Sequence, residues 1–368
     1  MLNTTPDAYY DIQIEGVTFM KKQICSILLA LALVCSMLVS ACAPKVTTQP
    51  ETEATVTQTD ATVTVTDASG RVVEVTSDVQ RIVTAYATRY VLAFGMGENI
   101  VNSMTDNLSK YIDPSFADGE PIMRDGALSV EGIAEMNPDV FIHRGGPGST
   151  DIYNSLELLG IPSVGIIMEN VDEILATVRL LGKTLSREER AQELCDYYLG
   201  MIDKAKKLTA DIPGNERVTA ILMGGSLGMV AHGGMLQSVM METAGAIPMA
   251  ADVDADGIWP VVGVETIFEW DPEYIFVQNM ASVEYTVADL KADPGWSELQ
   301  AVKNDRVFVV ASELDSWEFP GLQSAIGIMW MISIMYPELY SAEELDSDVN
   351  EFYELVYGVS ADREALGY

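Results

Sequence analysis

Ser129-Val130-Glu131-Gly132-Ile133 running into Asn137-Pro138-Asp139-Val140-Phe141-Ile142, and Gly263-Val264-Glu265-Thr266-Ile267 running into Asp271-Pro272-Glu273-Tyr274-Ile275-Phe276, are the stretches on which the fold turns. Each opens a short helix on Val-Glu. Each then reaches a residue–proline pair, which pushes the chain out of the helical region, and continues into an apolar run of strand length. One construction occurring in both halves of the chain implies two related lobes.

Working outward, short apolar runs at residues 81–85, 100–104, 139–143 and 163–167 read as strands, with helices at 89–95, 130–136 and 151–159 between them. A second series follows, with strands at 218–223, 273–278 and 306–311 and helices at 235–244, 264–270, 287–291 and 322–336. An acidic helix is expected at 342–357. Strands alternating with helices predict a mostly parallel sheet covered by helices in each lobe. The run 322–335 is strongly apolar, but it is too short to span a bilayer and Pro337 ends it, so it reads as a buried core helix.

Between the two series lies a helical region without strands, residues 171–212. Ser186 with Glu189 three residues on has the form of a capping box. The helix it would open places Leu194, Tyr198, Ile202, Ala205 and Leu208 on one face and runs to about residue 210. At about 1.5 Å per residue it would reach roughly 36 Å, enough to join two lobes. The expected fold is therefore α/β, with two lobes joined by one long interdomain helix. The lobes are residues 62–170 and 213–368. Alternating residues 62–66 and 71–75, separated by Asp67-Ala68-Ser69-Gly70, open the first lobe as a hairpin.

The N-terminal segment has its own signature. Met20-Lys21-Lys22 precedes an apolar run at 24–39, and Val39-Ser40-Ala41-Cys42 places small residues before a cysteine. This is the pattern of an export signal ending in a lipidation site, with Cys42 as the first mature residue. The acidic residues 1–19 are unlike a targeting region, so translation from Met20 is expected. Residues 42–61, rich in Thr, Gln, Glu and Pro, read as a lipidated cysteine and flexible tether. Removing residues 1–41 leaves 19 basic and 52 acidic residues, a net charge of −33, which repels nucleic acid and anionic headgroups. Cys195 is then the remaining cysteine apart from Cys42, so no internal disulfide is available, and a helical setting suggests packed core. The location expected is the outer face of the cytoplasmic membrane, held by lipid.

These features together resemble a known family. Asp67-Ala68-Ser69-Gly70-Arg71 with Arg81-Ile82-Val83, Asn137-Pro138-Asp139-Val140, Gly160-Ile161-Pro162, Asp271-Pro272-Glu273-Tyr274-Ile275-Phe276, and Pro294-Gly295-Trp296 with Ala301-Val302-Lys303 are similar, in order and spacing, to the helix-linked, class III substrate-binding proteins of ABC importers. That class has a periplasmic-binding-protein type 2-like fold and takes ferric siderophores, haem, cobalamin and related chelates. The segments Ile142-His143-Arg144-Gly145-Gly146 and Ile258-Trp259-Pro260-Val261-Val262 resemble two cleft segments of the cobalamin binders. The resemblance implies a monomer that traps a small metal chelate between its lobes and delivers it to permease and ATPase subunits. The protein would have no cofactor of its own, although the ligand could contain iron or cobalt. It also implies that Glu131 and Glu265 dock onto permease arginines. A local reading of both glutamates is complementarity to the helix dipole.

Ligands of such sheets bind at the carboxyl ends of strands. That nominates Tyr86, Arg89, Arg124, His143, Arg144, Gly145, Gly146, His232, Trp259, Asn279 and the run Trp317 to Phe319. Trp259, in a loop beside Pro260, offers a broad apolar face for a flat ring; the competing reading is a plug beneath the loop. Arg144 could grip carboxylate or hydroxamate oxygens, or serve as an ordinary charge partner. Two glycines after it would let backbone approach a ligand closely. His143 and His232, the chain's two histidines, are too few for a protein-built metal site, although one could be an axial ligand to iron or cobalt.

Gly224-Gly225-Ser226-Leu227-Gly228 has the spacing of a nucleophile elbow, the one pattern in the chain that points to an enzyme. Such an elbow needs a helix directly after the serine. Gly228, Gly233 and Gly234 break one, and no acid lies between Ser226 and His232, so catalysis is not expected. The alternatives are a surface serine hydrolase using Ser226 and His232, and a sensory binding protein for another small solute.

Overall fold

The computed structural model describes residues 61–124, 127–145, 150–253, 259–361 and 363–368. The export signal, Cys42 and nearly all of the tether, with Gly146, lie outside them. Two antiparallel strands open the structure, β1 (Thr62–Thr66) and β2 (Val72–Thr76). There follow β3 (Ile82–Ala85), α1 (Thr88–Ala93), α2 (Asn107–Ile112), the two-residue strands β4 (Met123–Arg124) and β5 (Ala127–Leu128), α3 (Val130–Glu135), β6 (Val140–Arg144), α4 (Thr150–Leu158) and β7 (Ser163–Ile166). Strands β3, β6 and β7 form a parallel three-stranded sheet in that order.

Two long helices, α5 (Val171–Thr184) and α6 (Glu188–Thr209), then lead to the second lobe. It comprises β8 (Thr219–Met223), α7 (Leu236–Thr243), β9 (Ile247–Pro248), α8 (Val264–Trp270), β10 (Tyr274–Val277), α9 (Val287–Ala292), α10 (Gln300–Lys303), β11 (Val307–Val309), α11 (Ser324–Met335), α12 (Ala342–Tyr357) and α13 (Arg363–Leu366). Its sheet is parallel in the order β11-β10-β8-β9. Two separate parallel sheets, one per lobe, match the expected α/β architecture. No helix among the described residues is long and apolar enough to cross a membrane.

Two expectations need correction. Residues 100–104 do not form a strand; they make isolated bridges, Ile82 to Ile100 and Asn102 to Glu120. The buried Asn102 amide explains why. Its Oδ1 accepts from the Thr84 N–H at 2.8 Å and its Nδ2 donates to the Thr84 carbonyl at 3.2 Å, so a side chain takes the place of a ladder. Leaving those groups unmet would cost about 1–3 kcal/mol each. Nor does Ser186 cap α6. It sits at φ 54° and its hydroxyl donates to the Ser77 carbonyl, while Arg187 occupies the N-cap with no side-chain bond.

The expected join is present and is reinforced by packing. Helix α6 spans about 33 Å from its 22 residues, but it does not link the lobes alone. One continuous core runs from Ile82, Ile142 and Ile166 through Leu194 and Tyr198 to Leu222, Phe276, Trp330 and Phe352. Helix α12 packs against α1 of the first lobe. Arg190 of α6 ties them, donating to the carbonyls of Ala93 at 2.9 Å and Leu355 at 2.5 Å. Helix α11 is buried almost all round, which is why its sequence is apolar on every face. The outer face of each sheet has its own smaller core, around Phe141 and Leu156 in one lobe and Ile275 and Trp296 in the other.

Candidate functional site

Parallel strands in both sheets aim their carboxyl ends at one cleft, and the loops leaving those ends line a cavity of about 590 Å³. From the first lobe come Arg144, the last residue of β6, and Glu169, just beyond β7. From the second come Ser226 and Met229 after β8, His232, Trp259, Gln278 and Met280 after β10, and Phe319 and Pro320 after β11. The volume lies within the roughly 300–1,000 Å³ of ordinary small-molecule sites. A further cavity of about 650 Å³ runs along α5, α6 and α7, but helices wall it and no strand end reaches it.

The walls are mixed. Trp259, Met229, Met235, Met280 and Phe319 give apolar area, while Arg144, Glu169, His232 and Glu284 are ionisable. Arg144 Nη2 donates to Glu169 Oε1, a charge pair held across neighbouring strand ends. Glu169 is held in turn by its own N–H, which donates to Glu173 Oε2 at 2.7 Å. His232 accepts the Gly234 N–H on Nδ1 at 3.4 Å, leaving Nε2 as its other ring nitrogen. Gly224 permits the Trp259 wall: a Cβ there would lie 2.9 Å from Trp259 Cε3 and 2.8 Å from Met229 Sδ. Among the described residues no group of three or more His, Cys, Asp or Glu could hold a metal ion.

Of the residues nominated from the sequence, Arg144, His232, Trp259 and Phe319 come together here. Others go elsewhere. His143 is buried, with Nδ1 3.4 Å from the Tyr153 hydroxyl and its ring stacked on Phe141; burial lowers its pKa below the usual imidazole value. Gly145 approaches backbone closely, as its type suggested, but the neighbour is protein. Its N–H donates to Ile166 at 2.6 Å, and a Cβ would meet Ser69 Oγ at 3.1 Å. Asn279 is structural, donating its N–H to Glu318 Oε1 at 3.1 Å and its amide to the Ser312 carbonyl at 3.3 Å. Trp317 is 0 % exposed and donates Nε1 to the Tyr353 hydroxyl, so the bulky aromatic expected in the cleft is core. Arg124 is the second residue of β4.

Tyr86 and Arg89 line an adjoining annex of about 240 Å³ rather than the main cavity. Tyr86 is 63 % exposed at φ 63°, a left-handed conformation that costs a non-glycine residue energy, and lies edge-on to His143. Glu131 and Glu265 stand exposed in the first turns of α3 and α8. Ser226 and His232 share the cavity wall, but no helix follows Ser226: the chain turns back at Gly228, φ 83°, and no hydrogen bond joins the two side chains. Glu169, Gln278 and Met280 were missed in the sequence. Each follows a strand end, which was the available signal.

Comparisons with known proteins agree with this geometry. The chain is 23 % identical over 256 residues to the molybdate-binding protein MolA of Haemophilus influenzae, covering 64 % of this chain and 71 % of that protein. It superposes on the molybdate-bound MolA structure with a TM-score of 0.70 at 21 % identity, over 81 % of this chain and 99 % of that one. It is 24 % identical over 206 residues to the Fe(3+)-citrate-binding protein YfmC of Bacillus subtilis, covering 54 % of this chain and 61 % of that protein. A periplasmic solute-binding protein from Veillonella parvula superposes with a TM-score of 0.68 at 23 % identity, over 83 % of this chain and 95 % of that one. The family model for periplasmic binding proteins matches residues 101–314, more than half of the chain. The chain belongs to the periplasmic binding protein family, the solute-binding components of ABC importers, and is not an enzyme.

Proposed function

We propose that the protein captures a metal chelate, such as a ferric siderophore, haem or a corrinoid, between its two lobes and delivers it to an ABC permease, while held to the outer face of the membrane by lipid on Cys42. The observation that carries the proposal is the cavity between the lobes. Its volume of about 590 Å³ and its apolar wall around Trp259 suit an organic chelate with a flat or aromatic part. His232 offers one imidazole, enough for an axial bond to a metal already held by its chelator, but not for a site built from protein alone. Arg144 would meet carboxylate oxygens of the ligand by exchanging its present partner, Glu169.

The second reading is a bare oxyanion, favoured by the 256-residue likeness to the molybdate-binding protein. A tetrahedral ion would leave most of the cavity unfilled, and Glu169 and Glu284 on the walls would repel it. The purified protein is titrated with haemin, ferric citrate and hydroxocobalamin by visible absorbance, and with molybdate by calorimetry. Saturable binding of a coloured chelate is the expected result. Tight molybdate binding with no chelate bound would replace this proposal with the second reading.

A further inference from the structure

The main cavity and the annex share one lining residue among those described, Phe319. Its backbone is held firmly. The Phe319 N–H donates to Ser316 at 3.1 Å and its carbonyl accepts from Gln323 at 2.9 Å. The preceding residue, Glu318, is pinned by Gln237, which donates to its carbonyl at 2.9 Å, and by the Asn279 N–H. The ring itself is held differently. Its face lies 4.4 Å from the Arg89 guanidinium carbon, and Arg89 Nη1 sits 3.0 Å from Asp315 Oδ1. Arg89 belongs to α1 in the first lobe, whereas Phe319 and Asp315 belong to the loop after β11 in the second. The orientation of the ring is therefore set from across the cleft.

We infer that Phe319 is a partition that sets the size of ligand the cleft accepts, with Arg89 as the positioning residue that holds it. This deepens the chelate reading and rests on it. With the ring in place, a ligand has about 590 Å³; with the ring turned aside, the annex of about 240 Å³ joins it. The annex wall is mixed, with Leu108 and Leu314 beside Asp106, Asp315 and Arg89. Asp315 Oδ2, the carboxylate oxygen not paired with Arg89, has no hydrogen-bond partner among the described residues. An aromatic face held by a cation is a stiff lid for such a space, and a side chain locked by its neighbours selects ligands by shape. The arrangement favours compact, flat chelates over bulky ones.

The test compares affinities of the protein for haemin, which is flat and compact, and hydroxocobalamin, which is bulky, by quenching of tryptophan fluorescence. Variants are F319A, R89A, R89K and the double variant F319A/R89A. F319A should move the haemin-to-corrinoid affinity ratio at least tenfold toward the corrinoid. R89A should move it in the same direction, R89K should stay close to the parent ratio, and the double variant should go no further than F319A. A ratio within threefold of the parent in F319A overturns the partition, and so do F319A and R89A shifts that multiply in the double variant. If no variant binds either chelate, the haem and corrinoid forms of the proposed function fail, and the partition is then judged from a crystal structure of R89A. A displaced ring joining the two cavities supports it; a ring left in place overturns it.

Discussion

The Asp67 carboxylate is gripped by Arg71 through both its backbone N–H and its guanidinium. Oδ1 accepts the N–H groups of Ser69 and Arg71, each at 2.9 Å, while Oδ2 accepts Arg71 Nη2 at 2.6 Å and the Gly165 N–H at 3.1 Å. Arg71 in turn donates to the Ser163 carbonyl and lies over the Tyr153 ring at 3.9 Å. The Asp-Ala-Ser-Gly-Arg run is thus a knot tying the first hairpin to β7. Because the Asp67 side chain is 0 % exposed, removing Arg71 strands a buried charge. R71A and D67A should each lower unfolding free energy by about 3–5 kcal/mol in urea titrations. A loss below about 1 kcal/mol in either would mean that the knot is ornamental to stability.

The loop after β11 carries two buried carboxyl groups whose protonation tunes stability. Burial pushes Glu318 up to about 7, opposed by hydrogen bonds from Ser316 and Asn279. Burial likewise raises Asp315 to about 6, opposed by Arg89. Both folded values exceed the unfolded ones, so between about pH 4 and 7 the folded protein retains protons that the unfolded chain has released. Their effect is to lower stability as pH rises through that window. E318Q cannot ionise, so its stability should fall less between pH 5 and pH 8 than that of the parent, by a difference on the order of 2–3 kcal/mol. Parallel pH profiles for the two proteins would show that Glu318 carries no such burden.

What could be read in the sequence, and what could not, follows from the range of the interactions involved. Helix α12 was readable to the residue because a capping box at Ser341 and a glycine at φ 69° beyond Tyr357 are local signals. Strands β6, β8 and β10 were readable because burial on both faces makes each a continuous apolar run. Residues 100–104 misled because an apolar run looks the same whether its partner is a strand backbone or the Asn102 amide. In the cleft, Trp259 and Trp317 each stand in a loop and offer the same side chain, and nothing within a few residues tells wall from core. What separates them is Tyr353, far along the chain, whose hydroxyl accepts the Trp317 N–H. Arg89 looked like a ligand contact for a similar reason: its partners Asp315 and Phe319 lie in the other lobe.

Docking onto a permease can be separated from ligand capture. Glu131 and Glu265 are exposed and occupy equivalent first-turn positions in α3 and α8, one per lobe. Neither lines the cavity. The double variant E131R/E265R should keep the parent ligand affinity in solution yet lose uptake in cells by more than tenfold. Each single reversal should cost less than the pair. Uptake at the parent rate in the double variant would assign both glutamates to their helix termini alone, where each contributes about 0.3–1 kcal/mol.

Two tryptophans give opposite expectations. W259A removes the broad apolar wall of the cavity while leaving its strand-end loop anchored by the Val230 N–H to the Pro260 carbonyl at 3.0 Å. It should weaken chelate binding at least tenfold and shift the denaturation midpoint little. W317A opens a void beneath the loop that bears Phe319, next to Tyr353 and Tyr368. It should cost about 3–5 kcal/mol of stability. W317F, which keeps most of the volume but loses the N–H, should recover much of that loss and bind ligand as the parent does. G224A is the milder probe of the same wall, since its added Cβ presses on Trp259 and Met229. It should weaken binding in the same direction as W259A, with a smaller effect. If W259A binds chelate as tightly as the parent while W317F does not, the roles given to the two rings are reversed.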